Sequence, residues 1–250
     1  MEYPKIETIF DRDENFKVVE GKYRLPEFEN IKEWYVTEKI DGTNIRIIYE
    51  PQFPPKEGGL RWGLAHEVSY AGHTLRFAGK TDKAQLHPNL ITYLHKTFTI
   101  EKLHEVFPDK HIEGEPSQYP HVILFGEGYG PKIQTGGNYR KNISLRLFDV
   151  FVKDQNNPLG GWWLEPDNVG DVATKLGILT VPFLGIMTTE EAINYVKEKH
   201  YSLVSQLEDG EPSHRAEGIV ARTIPLLFTR KGERLIWKLK VNDFKKELLA

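Results

Sequence analysis

A chain of 250 residues and 28.9 kDa can bury a sizeable core, as one large domain or two small ones. It has no cysteine, which excludes disulfides and thiolate metal sites and agrees with an intracellular, cytoplasmic protein. No apolar run approaches the roughly 18 residues of a membrane span, and Met1-Glu2-Tyr3-Pro4-Lys5 lacks the basic and apolar regions of a secretion signal.

In chain order, β-branched and aromatic content predicts strands at Trp34–Glu38 and Asn44–Tyr49, followed by a Pro- and Gly-rich loop over Pro51–Gly59. Helices are expected over Ile91–Thr97 and Ile100–Phe107, with Pro108 as the stop. Strands follow at His121–Phe125, Leu145–Val152 and Trp162–Leu164, then a helix from Asp167 to Leu176 ended by Gly177. Thr188-Thr189-Glu190-Glu191 is a capping box, and Ala192, Ile193 and Val196 continue it as one apolar stripe. After a loop at Asp209–His214 come strands Gly218–Arg222 and Leu235–Lys240, and Asn242 is expected to cap a short helix through Leu249. There is no repeat, no low-complexity segment and no regular βαβ rhythm, so the class is α+β.

The most informative string is Glu38-Lys39-Ile40-Asp41-Gly42-Thr43-Asn44. A lysine becomes a nucleophile only when its ammonium gives up a proton, through desolvation or neighbouring positive charge. The same string also reads as a plain hairpin, because Val36 to Tyr49 alternates and Asp-Gly between two β-rich runs is a strong hairpin signal. Further along stand Phe125-Gly126-Glu127-Gly128, Leu147-Phe148-Asp149-Val150, Ala216-Glu217-Gly218-Ile219-Val220 and Trp237-Lys238-Leu239-Lys240. Taken singly these are weak. Glu127 suits an ordinary turn, and Phe148 suits a core. Asp149 fits a core less well, since an unpaired buried carboxylate is costly. Lys238 and Lys240 fall on one face of their strand, opposite Trp237 and Leu239.

In this order, the five strings resemble motifs I, III, IIIa, IV and V of the covalent nucleotidyltransferases, the superfamily of polynucleotide ligases and mRNA capping enzymes. The resemblance runs from Glu38 to Lys240. It implies two twisted antiparallel sheets with flanking helices and a nucleotide bound between them. It also implies that Lys39 attacks the α-phosphate of ATP to form a lysyl-AMP, which passes to an RNA 5′-phosphate before sealing. Glu38 would read the adenine amino group, and Asp41 and Asn44 would line the phosphates or the strand end. Glu127 would hold the ribose and help bind metal, Phe148 would stack on the purine beside Asp149, and Glu217 would bind Mg²⁺ or Mn²⁺. Lys238 and Lys240 would contact the α-phosphate. Ala78-Gly79-Lys80-Thr81-Asp82 resembles motif Ia with Lys80 in place of the usual arginine, and Arg76 is its rival for that role.

Asn44 and the segment Gly126 to Gln134 favour the branch of ATP-dependent RNA ligases typified by the phage enzyme that seals nicks in duplex RNA, and a phage or viral source fits that branch. Little sequence follows Lys240, so the expectation is a single nucleotidyltransferase domain over residues 1–250 without an OB-fold. The partners implied are RNA ends, in particular nicked duplex RNA, and no membrane. A minimal or mixed-specificity DNA ligase and a non-catalytic RNA-end binding protein are the alternatives. Net charge is −3, yet Arg222, Arg230, Lys231, Arg234, Lys245 and Lys246 join the two motif lysines towards the C-terminus, as a solvated face or as a surface for phosphates.

Overall fold

The structure is a computed structural model that describes residues 1–52, 67–70, 72–111, 113, 117–154, 157 and 160–244. Most of the predicted Pro51–Gly59 loop, the end of the predicted terminal helix, and Lys245 and Lys246 lie outside the described residues. The strands are β1 (Phe10–Arg12), β2 (Val18–Tyr23), β3 (Trp34–Lys39), β4 (Thr43–Pro51), β5 (Glu67–Tyr70), β6 (His73–Ala78), β7 (Val122–Tyr129), β8 (Ser144–Lys153), β9 (Gly161–Trp163), β10 (Leu179–Thr180), β11 (Phe183–Met187), β12 (Gly218–Arg222) and β13 (Ile236–Lys240). The helices are α1 (Pro88–Thr97), α2 (Ile100–Val106), α3 (Pro166–Leu176), α4 (Thr189–Lys197) and α5 (Leu203–Leu207). No helix among the described residues is long and apolar enough to cross a membrane.

The class is α+β, and the chain divides into two compact units. The first comprises residues 1–3, 42–129 and 142–180. Its sheet runs β10-β8-β7-β4-β6-β5, with β9 also paired to β8. All pairings are antiparallel except β10 on β8. Helix α3 packs on β8 and β10, and α2 packs on β6. Gly128 keeps β7 bare where Leu90 of α1 presses on it, since a Cβ there would meet the leucine at 2.9 Å.

The second unit comprises residues 4–41, 130–141 and 181–250. It holds the β1-β2 pair and an antiparallel sheet ordered β11-β3-β12-β13. Helix α4 opens on the predicted capping box. Thr188 Oγ1 accepts from Glu191 N, and the Glu191 carboxylate accepts from Thr188 N at 2.8 Å. Its buried stripe of Ala192, Ile193 and Val196 joins Trp34, Trp237 and Leu239 in one core. The two tryptophans meet edge to face at 5.5 Å, and Trp34 Nε1 donates to Thr189 Oγ1 at 2.9 Å. Each large apolar side chain buried in this way contributes roughly 1.5–3 kcal/mol.

The Asp-Gly hairpin reading is overturned. β3 pairs with β11 and β12, whereas β4 pairs with β6 and β7 in a different sheet. The residues after Lys39 therefore carry the chain from one unit to the other.

Candidate active site

Three strands of the second unit set the site. Gly218, the first residue of β12, is the register partner of Lys39 on β3 and of Lys240 on β13. Neighbouring strands stand about 4.8 Å apart, so the two lysines flank the same point from either side. Glu217 precedes Gly218 at that point. Its Oε2 lies 2.5 Å from Lys39 Nζ, and its Oε1 is paired with Lys240 Nζ. Gly218 has to be glycine, because a Cβ would strike the Leu239 carbonyl oxygen of β13. Glu217 also accepts a backbone hydrogen bond from Val241 N at 3.0 Å, which fixes the residue behind its carboxylate.

Lys39 and Glu217 are mostly covered, with 21% and 15% of their side chains exposed. Burial alone would pull the Lys240 ammonium down. The hydrogen bond and charge of Glu217, helped by Asp243 and Asp41, outweigh it and hold that ammonium above its ordinary pKa. Asp243 also accepts from Lys240 N at 2.8 Å and is paired with Arg12, so the backbone under Lys240 is anchored.

Asp41 closes the same region. Its carboxylate accepts from Thr135 Oγ1 at 2.7 Å, and its backbone N–H donates to Tyr139 Oη at 3.0 Å. Tyr139 is wholly buried. Burial raises its pKa, the Asp41 N–H opposes the rise, and the charges of Glu38, Glu217 and Asp41 add to it. His214 packs edge-on against Tyr139 at 4.4 Å, and burial lowers its pKa while Asp41 raises it. The motif strings named neither Thr135 nor Tyr139. The Gly136-Gly137 turn between them was the one local signal of an ordered segment.

Glu38 is buried, and its carboxylate accepts from the Ser202 hydroxyl and, at 2.8 Å, from Leu203 N. Ser202, which sequence reasoning missed, thus fixes the orientation of the expected adenine reader. Lys238 lies with Lys240 on the half-buried face of β13, opposite buried Trp237 and Leu239, and its charge acts on Glu7. The basic C-terminal stretch is not one surface, because Arg222 is buried while Arg230 and Lys231 are exposed.

The remaining expected residues belong to the first unit. Asn44 on β4 is the register partner of Glu127 on β7, so their side chains share a face, and Asn44 Oδ1 is buried without a hydrogen-bond partner among the described residues. Lys80 is exposed just past β6. Its loop is held by buried Arg46, which donates to Gly79 O at 2.7 Å and pairs with Asp82 at 2.7 Å. Arg76, the rival, faces Glu50 at 3.8 Å. Phe148 is half-buried on β8, edge-on to Tyr3 at 5.1 Å. Asp149 is fully buried and accepts from Tyr3 Oη at 2.7 Å, which explains how a carboxylate is tolerated in that core.

Comparison with known proteins gives the family and the fold. A family model described as RNA ligase matches residues 32–240. Among solved structures, a Naegleria gruberi RNA ligase mutant with ATP and Mn aligns at 17% identity and TM-score 0.55, covering 96% of this chain and 58% of that one. The same ligase with pyrophosphate aligns at 17% identity and TM-score 0.55, over 96% of this chain and 62% of that one. A mutant apo form gives TM-score 0.54 at 17% identity, over 96% and 58%. At this identity the likeness is one of fold, and the chain spans about three fifths of the ligases it matches. No curated protein matches.

Proposed function

The chain belongs to the RNA ligase family, and from that premise we propose that it is an ATP-dependent RNA ligase acting through a covalent lysyl-AMP on Lys39. The observation that carries this reading is the Lys39–Glu217–Lys240 arrangement across three adjacent strands. In the first step Lys39 Nζ loses a proton and bonds to the α-phosphorus of ATP, and the bond from that phosphorus to the β-phosphate bridging oxygen breaks to release pyrophosphate. In the second, an oxygen of an RNA 5′-phosphate takes the adenylyl group and the P–N bond breaks. In the third, a 3′-hydroxyl attacks that 5′-phosphate and AMP leaves.

Lys240 would meet the α-phosphate, as a cation that neutralises charge in the transition state. Lys238 extends the same cationic face. Glu217 serves two states. Without nucleotide it neutralises Lys39 and Lys240, and with nucleotide its oxygens would turn to a divalent cation, leaving the amine beside positive charge that favours its neutral form. Carboxylate oxygens with no thiolate suit Mg²⁺ or Mn²⁺, the class of ion that neutralises a triphosphate. Glu127 is the second acid assigned to that ion and to the ribose. Glu38, held by Ser202 and Leu203, would accept from the adenine amino group, and Phe148 with its neighbour Asp149 would border the base. Asp41 would line the phosphates, and Asn44 and Lys80 would hold the incoming strand end, with nicked duplex RNA as the substrate and the cytoplasm as the setting.

The test is incubation with labelled ATP, GTP and NAD and Mg²⁺ or Mn²⁺, followed by peptide mapping. ATP should leave about one AMP on Lys39, GTP far less, and Lys39→Ala should carry none. Label on another lysine, or none on the wild type, overturns the reading.

A further inference from the structure

Within the first unit, and among residues given no role above, one donor atom each of His73, His104 and Asp109 lie within 4.8 Å of one another. They come from three separate places: His73 opens β6, His104 sits in α2, and Asp109 is in the loop after that helix. His73 is buried, and the other two are half-buried. We propose that these residues form a structural site for a divalent transition ion of the Zn²⁺ class, clamping the end of α2 to β6.

Three features support a built site. First, His73 Nε2 and Asp109 Oδ1 are 3.4 Å apart. Two donors on one tetrahedral Zn²⁺, at metal distances of about 2.0–2.2 Å, stand about 3.4 Å apart, so this pair already has the required spacing. Second, Asp109 Oδ1 is shielded from solvent and has no hydrogen-bond partner among the described residues, which is the state of an acceptor made for something stronger. Third, the histidines are held by an aromatic partner. Tyr49 stacks on His73 with ring centres 4.6 Å apart and an angle of 8°, and its hydroxyl lies 2.8 Å from His104 Nδ1. An outer group that orients a metal-binding imidazole is the usual companion of such ligands.

Two imidazoles and one carboxylate suit Zn²⁺ better than the hard ions expected near Glu217. An ion here would link α2 to the sheet and stabilise the fold by mass action, with no part in nucleotide chemistry.

The test uses the full chain, stripped of metal and free of ATP, with saturating Mg²⁺ present to occupy oxygen-rich sites. Zn²⁺ titrated calorimetrically should bind with a stoichiometry of one and raise the melting temperature, and Co²⁺ in its place should give the intense visible band of a four-coordinate nitrogen and oxygen site. Asp109→Asn and His104→Ala should each weaken Zn²⁺ at least about tenfold, and Tyr49→Phe, which keeps the ring on His73, should weaken it about tenfold. His200→Ala, at a half-buried histidine of the second unit, should change nothing. Absence of Zn²⁺ uptake by the wild type, a weak octahedral Co²⁺ spectrum, or an affinity that the Asp109 and His104 variants leave unaltered would each overturn the site. The wild-type titration and spectrum decide the matter even where a variant fails to fold.

Discussion

Lys39 and Gly218 are register partners on adjacent antiparallel strands, and this pairing delivers the Glu217 carboxylate to the Lys39 ammonium at 2.5 Å. The same glycine faces Lys240 on its other side, so one backbone position sets both ion pairs. Sheet register therefore sets the geometry of the candidate site.

Gly218→Ala tests that control. The new Cβ would strike the Leu239 carbonyl and sit 2.7 Å from Lys240 Cα, both of them backbone atoms that cannot swing aside. Strands β12 and β13 would have to part, at about 2–3 kcal/mol. Urea unfolding should show that loss, and labelling of Lys39 by ATP should fall with it. Wild-type stability would show that the contact is relieved cheaply and that register is not the determinant.

Glu217→Gln keeps the shape and removes the charge. Lys39 and Lys240 would then confront each other across an amide, with no carboxylate to neutralise them or to hold a divalent cation. Formation of the lysyl-AMP should fall by about 10²-fold, the scale of losing one preorganised electrostatic group. Excess Mn²⁺ should restore part of the rate. A single-turnover labelling rate within twofold of wild type would remove Glu217 from the metal and activation roles.

Much of this site was legible before any fold was known. Lysines at alternate positions of a strand share a face whatever the tertiary structure, so the placement of Lys238 and Lys240 followed from the period of two. The capping box at Thr188 and the stop at Gly177, which has φ 70°, were equally local. What could not be read were the partners far along the chain. Ser202 reaches Glu38 across 164 positions, and Tyr3 reaches Asp149 across 146. Asp-Gly pointed to a hairpin because turn chemistry is local, while the choice of β11 and β12 as partners of β3 is made by the core around Trp34 and Trp237. β2 and β11 escaped notice because most of their residues are exposed or only partly covered, which leaves no apolar alternation to detect.

His121 gives the fold a dependence on pH. Burial, then Lys153, pull its pKa down to about 4, against the opposing carboxylate of Glu50, which lies 3.3 Å from its ring. The unfolded chain has an ordinary histidine near 6.5 and binds the proton first. The contribution of neutral His121 is therefore fully present above pH 6.5 and is lost as pH falls through 6.5 towards about 4. Because the ring is partly exposed, the loss should be about 1–2 kcal/mol. His121→Gln should flatten the stability profile in that window, as measured by urea midpoints at successive pH values. An unchanged slope would assign the acid sensitivity to other groups.

Charging and sealing should separate at Asn44 and Lys80. Both belong to the first unit and the Lys39–Glu217–Lys240 cluster to the second, and each carries a feature suited to an incoming strand. Lys80 is an exposed cation on a loop anchored by Arg46. Asn44 presents a buried oxygen with no partner among the described residues, beside Glu127. In Asn44→Ala and Lys80→Ala the lysyl-AMP should form within about twofold of wild type, while joining of a nicked RNA duplex should fall about tenfold or more, a single lost contact to a charged group costing about 1.5–3 kcal/mol. Phosphate contacts release counterions, so joining by the wild type should weaken steeply with salt, and Lys80→Ala should lower that slope by about one. A nick with a 3′ RNA strand should be sealed in preference to its DNA counterpart, because the 2′-hydroxyl is the group that distinguishes them. Equal sealing of both would move the proposal to a ligase of mixed specificity. Loss of the adduct in either variant would instead place that residue at the nucleotide.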